Sequence, residues 1–141
     1  MAISFVGGDK YVVNKEYVTA GQNLCDKSLV CWTGSAPAAA AGSIMGVVEK
    51  DTASGDLATV KNGTGSLLEV LATGAVTKGA QVEAYVVSTY ANINGTSTAV
   101  TTCAGVMDKS SGFPIGIAHS ASDAGGTVLV EWLILPKGAL A

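Results

Sequence analysis

Side chains along much of this chain repeat with a period of two, and that period constrains the fold more than any other feature. Thr98, Val100 and Thr102 alternate with Ala99 and Thr101, as on a half-solvated strand; a helix would repeat every 3.6 residues. Two Asn-Gly pairs punctuate such runs. Asn62-Gly63 lies between Leu57–Lys61 and the run from Ser66 to Leu71, and Asn94-Gly95 lies between Tyr90–Ile93 and Thr96–Thr102. Both residues of a tight hairpin turn need positive φ, which Asn and Gly tolerate, so each pair predicts a β-hairpin. Gln81 to Val87 is rich in β-branched and aromatic residues, which favour strands. Thr127 to Leu135 is the most apolar stretch and predicts a central strand, ended by Pro136, which cannot donate to a ladder. Ala38 to Ala41 favours helix but spans barely one turn between Pro37 and Gly42, so a loop is expected there. The fold class expected is mainly β: a small barrel or sandwich of short antiparallel strands with little helix.

An internal echo runs through the sequence. Ile44-Met45-Gly46-Val47-Val48, the turn Thr52–Asp56 and the run Leu57–Val60 resemble Ile115-Gly116-Ile117-Ala118, the turn Ser122–Gly126 and the run Thr127–Glu131, about 70 residues later. A pseudo-symmetric barrel would produce it, as would any strand protein this rich in Gly and Val. Residues 1–30 differ in texture, with Asp9, Lys10, Lys15, Glu16, Asp26 and Lys27 beside Phe5, Tyr11 and Tyr17. They read as an extended N-terminal arm or an extra hairpin, jointed at Gly7-Gly8, or as a first strand of the same barrel. Residues 31–141 read as a single β-domain.

Composition removes several function classes. Charged residues are 13% of the 141, against 48% hydrophobic, and the net charge is -3 with no arginine. A basic nucleic-acid patch is therefore not expected. No apolar run approaches the ~20 residues that cross a bilayer, and the N-terminus lacks a signal peptide's basic-then-apolar layout. Cys25, Cys31 and Cys103 are an odd, sparse set without a CxxC pair. They read as apolar fillers in a reducing cytoplasm, with a Cys25–Cys31 bridge as the alternative. The single histidine, His119, would need Asp123 or Asp108 and a serine to make a triad, and no Gly-x-Ser-x-Gly elbow is present. Asp51 with Asp56, or Asp123, could ligate calcium, but neither segment follows EF-hand spacing and aspartates are ordinary turn residues. Gly63-Thr64-Gly65-Ser66-Leu67-Leu68 begins like a dinucleotide fingerprint but has Leu68 in place of the third glycine. Glu131 shares a strand face with Leu129 and Leu133, which suits an edge open to water, a lysine partner or a subunit interface. No enzyme, cofactor or metal is expected, and so uncharged a surface suits permanent association.

Several stretches carry a family likeness. Thr33-Gly34-Ser35, Gly46-Val47-Val48 and Ser54–Val60, then Ala75–Val82 with its central Lys78-Gly79, then Ile115–Ala118, Ala121–Gly126 and Val128–Val130 occur in that order. Over roughly residues 30–135 the chain resembles the small tailed-phage capsid decoration, or cement, proteins. The resemblance implies a non-enzymatic virion protein, made in the host cytoplasm, that binds the outer surface of the expanded capsid and stabilises it. It implies the major capsid protein as partner and a homotrimer at three-fold positions. Capsid contacts are then expected in residues 2–18, with Ile3, Phe5, Tyr11 and Tyr17 as anchors. The rival reading is a carbohydrate- or small-ligand-binding β-barrel in which Trp32, Tyr85, Tyr90 and Trp132 form a stacking surface.

Overall fold

A computed structural model describes residues 13–37 and 43–134. The protein is mainly β, with two antiparallel sheets, one of them curled into a half-barrel. Among the described residues there is no helix. The first sheet contains β1 (Asn14–Thr19), β2 (Leu29–Cys31), β3 (Ile44–Val48) and β4 (Leu57–Asn62) in the order β1-β4-β3-β2. The second contains β5 (Leu67–Leu71), β6 (Gln81–Ile93), β7 (Thr96–Asp108), β8 (Gly116–Ala118) and β9 (Thr127–Trp132) in the order β5-β9-β8-β6-β7.

The two sheets are the same motif built twice. In the first, β1 pairs with β4 through Thr19 and Leu57, and β2 with β3 through Leu29 and Val47. In the second, β5 pairs with β9 through Leu71 and Thr127, and β6 with β8 through Gln81 and Ile117. Turn hydrogen bonds repeat with the strands. Ala20 donates to the Asp56 carbonyl (2.8 Å) and accepts from Gly55 (2.7 Å), as Ala72 donates to Gly126 (2.8 Å) and accepts from Gly125 (2.7 Å). The reciprocal Leu24–Thr52 pair is matched by Val76–Ser122. Cores repeat too: Ala20, Leu24, Val30, Met45, Val48, Ala58 and Val60 pack in the first repeat. Ala72, Val76, Val82, Ile115, Ala118, Val128 and Val130 occupy the corresponding positions in the second. The sequence echo is thus the visible half of a full internal repeat. Its first half (Ala20 to Ala72) is offset by 52 residues and its second (Val48 to Ala118) by 70. The difference is taken up by the long β6–β7 hairpin.

One contact shapes both repeats. A Cβ on Gly46 would lie 2.2 Å from the Lys61 carbonyl oxygen and 2.8 Å from Val60 Cγ1. A Cβ on Gly116 would lie 2.0 Å from the Glu131 carbonyl oxygen and 2.8 Å from Val130 Cγ1. Only glycine lets these backbones approach so closely.

Of the two Asn-Gly pairs, one makes a hairpin. Asn94 (φ 52°) and Gly95 (φ 82°) join β6 to β7, with Ile93 opposite Thr96. Asn62-Gly63 does not: β4 and β5 lie in different sheets. Asn62 is buried, and its side-chain amide donates to Glu16 Oε2 and to the Met45 carbonyl, so it is held in the first sheet and the chain crosses to the second. Residues 13–30 are no separate unit either. They supply β1, most of β2 and the core residues Ala20 and Leu24. Residues 1–12, the remainder of the expected arm, lie outside those described.

The inserted hairpin is pinned to the first repeat by a polar and thiol seam. Asp51 accepts from the backbone N–H of Asp26 (2.7 Å) and of Asn92 on β6 (2.9 Å). Gln22 Nε2 donates to the Thr102 carbonyl (2.9 Å) on β7. Between them, Cys25 packs with Ala91, Val100 and Cys103. The Cys103 thiol donates to Cys25, which lowers the Cys25 pKa and, with burial, raises that of Cys103. The structure therefore pairs Cys25 with Cys103, across the seam; all three cysteines are free thiols. Burial raises the Cys31 pKa.

Gly46→Ala and Gly116→Ala should each lower stability by about 3 kcal/mol or more, since the new methyl meets backbone and not a movable side chain. Thermal unfolding of both variants checks this, and unequal losses would count against equivalent roles. Mild oxidation with diamide, which takes up two electrons and two protons from a pair of thiols, should join Cys25 to Cys103 and leave Cys31 free. Peptide mapping without reductant reads the linkage.

Candidate partner-binding surface

Alternation along β1 and β4 decides which side chains meet solvent. Val18, Ala58 and Val60 point into the first repeat's core, so Tyr17, Thr19, Leu57 and Thr59 point out. Tyr17 lies opposite Thr59 and Leu57 opposite Thr19, which makes Tyr17 and Leu57 diagonal neighbours on one face. They are 61% and 63% exposed, an unusual setting for an aromatic and a leucine in adjacent strands. Lys15, one pleat away, reaches Glu49 at 3.3 Å. Tyr17 is the one expected anchor that the described residues include; Ile3, Phe5 and Tyr11 lie outside them. Leu57 was not singled out from sequence, although the inward Ala58 and Val60 already placed it on the outer face.

A second apolar surface lies on the second repeat. Val128, Val130 and Trp132 point into the core, so Leu129, Glu131 and Leu133 point out, as the sequence period required. Ile117 lies opposite Glu131 on the same face. Leu133 is 44% exposed and Phe113 47%. Glu131 meets no lysine: its side chain is open to water and its Oε1 lies 3.1 Å from His119 Nε2, which is likewise partly exposed.

The groups considered for chemistry are not assembled for it. His119 pairs with Glu131, not with Asp123 or Asp108. Asp108 instead accepts from the Thr77 N–H (2.8 Å) and hydroxyl (2.7 Å), which holds its carboxyl below the ordinary carboxylate range. That gain in stability is present above the unfolded pKa and fades as pH falls through the folded one. Asp51, raised as a calcium ligand, spends both oxygens on backbone N–H groups. The buried Glu83 accepts from the Gly112 N–H. Among the described residues no three His, Cys, Asp or Glu side chains are grouped to hold a metal ion.

Nor do the four rings form one stacking platform. Trp132 is 1% exposed and Trp32 is half-buried against the first repeat's core. Tyr85 and Tyr90 are exposed, but they lie five residues apart on one strand, with a shift of register between Val87 and Thr89 separating them. A cleft between the sheets, lined by Lys27, Val47, Glu49, Lys61, Leu68 and Glu69, holds about 200 Å³. That is below the roughly 300 Å³ at which ligand pockets begin. What these surfaces offer is exposed apolar side chains on rigid strands, suited to another protein's surface. A comparison with protein-family models and with curated proteins finds no match.

Tyr17→Ser and Leu57→Ser should each change stability by no more than about 0.5 kcal/mol, because both side chains already face solvent. Chemical denaturation checks this, and a larger loss would mean that the pair supports the fold.

Proposed function

We propose that this protein is a structural virion component that binds the outer surface of an expanded tailed-phage capsid and stabilises it. The observation that carries the reading is the ordered set of segments, from Thr33-Gly34-Ser35 to Val128-Leu129-Val130, in which the chain resembles the decoration family. The architecture supports it: the segments Gly46–Val48, Ser54–Val60, Ala75–Val82 and Ile115–Ala118 are the strands and turns on which the repeat is built. The Tyr17–Leu57 pair supplies an exposed apolar anchor on a charge-poor surface. The major capsid protein is the partner, met by Tyr17 together with Ile3, Phe5 and Tyr11. Many identical copies on a lattice multiply a modest contact, and preference for the expanded lattice stabilises that state by mass action. The copies assemble as a homo-oligomer, a trimer where the lattice has three-fold symmetry.

Purified protein mixed with expanded, undecorated capsids should saturate at a whole number of copies per three-fold position. Removing residues 2–12 should abolish binding and leave the fold intact. A deletion of residues 2–18 is unsuitable, because it also takes most of β1 out of the sheet. Tyr17→Ser together with Leu57→Ser should weaken binding about tenfold or more. Absence of binding by the intact chain would overturn the reading.

A further inference from the structure

We propose that Cys25 and Cys103 are an oxidative latch, a disulfide that fastens the outer half of the β6–β7 hairpin to the first repeat once the surroundings turn oxidising. In the reduced protein that half of the hairpin lifts from the repeat and settles back. The bond ends the movement.

The outer half of the hairpin is lightly supported. β8 pairs with β6 at Gln81 and Val82, while the β6–β7 pairing runs on to Ile93 and Thr96. Past the shift of register between Val87 and Thr89 the two strands continue as a ribbon, and among the described residues no third strand flanks it. A two-stranded ribbon is marginal in water by itself, so its attachment to the first repeat decides its stability. That attachment is small. Asn92 donates its N–H to Asp51 (2.9 Å), and Gln22 Nε2 meets the carbonyl (2.9 Å) and hydroxyl (2.7 Å) of Thr102. Between these anchors Ala91, Val100 and Cys103 meet Cys25 in a small buried cluster, with Leu71 and Ile93 packed against it. Segments held by so few apolar contacts open locally, well below the cost of global unfolding.

The two thiols sit where one bond closes this contact. Cys25 follows Leu24 of the first repeat's core, and Cys103 lies on β7. The Cys103 thiol donates to the Cys25 sulfur across the seam. Asp51 aligns the pair: one carboxylate oxygen holds the N–H of Asp26, next to Cys25, and the other holds that of Asn92. Cys25 and Cys103 are 4% and 2% exposed, so a dissolved oxidant reaches them when the hairpin lifts. Cys31 lies on β2, outside this cluster.

The oxidant is a small-molecule disulfide. A thiolate of the lifted pair attacks one of its sulfurs, and the first small thiol leaves. The partner thiolate then attacks the protein sulfur of the mixed disulfide as the hairpin closes, and the second small thiol leaves. Two electrons and two protons pass from the cysteines to the small disulfide, which ends as two thiols. The loop closed from Cys25 to Cys103 is long, the case in which a cross-link most restricts the unfolded chain. Reducing surroundings keep the pair as thiols. The inference rests on the seam and stands apart from capsid binding.

The test uses the full chain and oxidised glutathione. Acid quenching, alkylation and peptide mapping should show a Cys25–Cys103 link, with Cys31 alkylated. Asp51→Asn, which weakens one anchor of the hairpin, should form the link about tenfold faster at low oxidant. Circular dichroism should show that variant folded. Backbone hydrogen exchange across residues 88–102 should slow about tenfold or more on oxidation, leave β4 and β9 unchanged, and return with dithiothreitol. Failure to form the link, or a link to Cys31, overturns the proposal. Equal exchange of the hairpin in the two redox forms also overturns it. So does a linking rate that Asp51→Asn leaves unchanged, since hairpin movement would then not govern access to the thiols.

Discussion

Two backbone crossings hold this architecture together. At Gly46 and at Gly116 a strand passes so near the carbonyl of its neighbour, Lys61 or Glu131, that no side chain fits between them. The approach draws β3 onto β4 and β8 onto β9 closely enough for Val48 and Val60, or Ala118 and Val130, to fill a core only a few side chains deep. Each buried valine, leucine, isoleucine or methionine contributes roughly 1.5–3 kcal/mol, and five of the seven core positions in each repeat hold one. Cores this small have little room to absorb a displaced strand, so the crossing and the packing stand or fall together.

The repeats have diverged where they meet. At the position where the second repeat buries Trp132, the first buries Asn62, whose amide is satisfied by Glu16 and the Met45 carbonyl. The tryptophan belongs to the core shared by both repeats, while the asparagine closes the far end of the first with hydrogen bonds. Insertion of the β6–β7 hairpin is the other divergence. Held by Asp51, Gln22 and the Cys25–Cys103 contact, it ties the second repeat to the first at a site the original motif did not contain.

Sequence reading recovered what depends on neighbours along the chain. The Asn94-Gly95 turn, the strand from Gln81 onward and the outward face of Glu131 all follow from local period and turn chemistry. It misread Asn62-Gly63 because that asparagine's partners, Glu16 and Met45, are 46 and 17 residues away, and a turn propensity carries no information about them. The extent of the repeat was hidden for a related reason. Residues 15–30 and 67–82 share a hydrogen-bond pattern, yet Lys15 corresponds to Leu67, Glu16 to Leu68 and Leu29 to Gln81. Backbone geometry tolerates those exchanges as long as the inward valines and the tight crossings are kept. Tyr17 was legible as an exposed ring, whereas Leu57 and Phe113 acquire meaning only from the tertiary faces on which they sit.

In each repeat the first strand pairs with the last, so neither sheet is complete until its final strand exists. During synthesis the earlier sheet has all its strands once Asn62 has emerged, and it then shows Leu29 and Val47 to solvent until β5 is made. The nascent chain therefore carries a short-lived oily face that its own second half is destined to cover. A sibling chain on the same messenger, presenting an identical edge strand, is a rival for that face, and the brevity of the link from Asn62 to Leu67 gives the tethered strand the advantage.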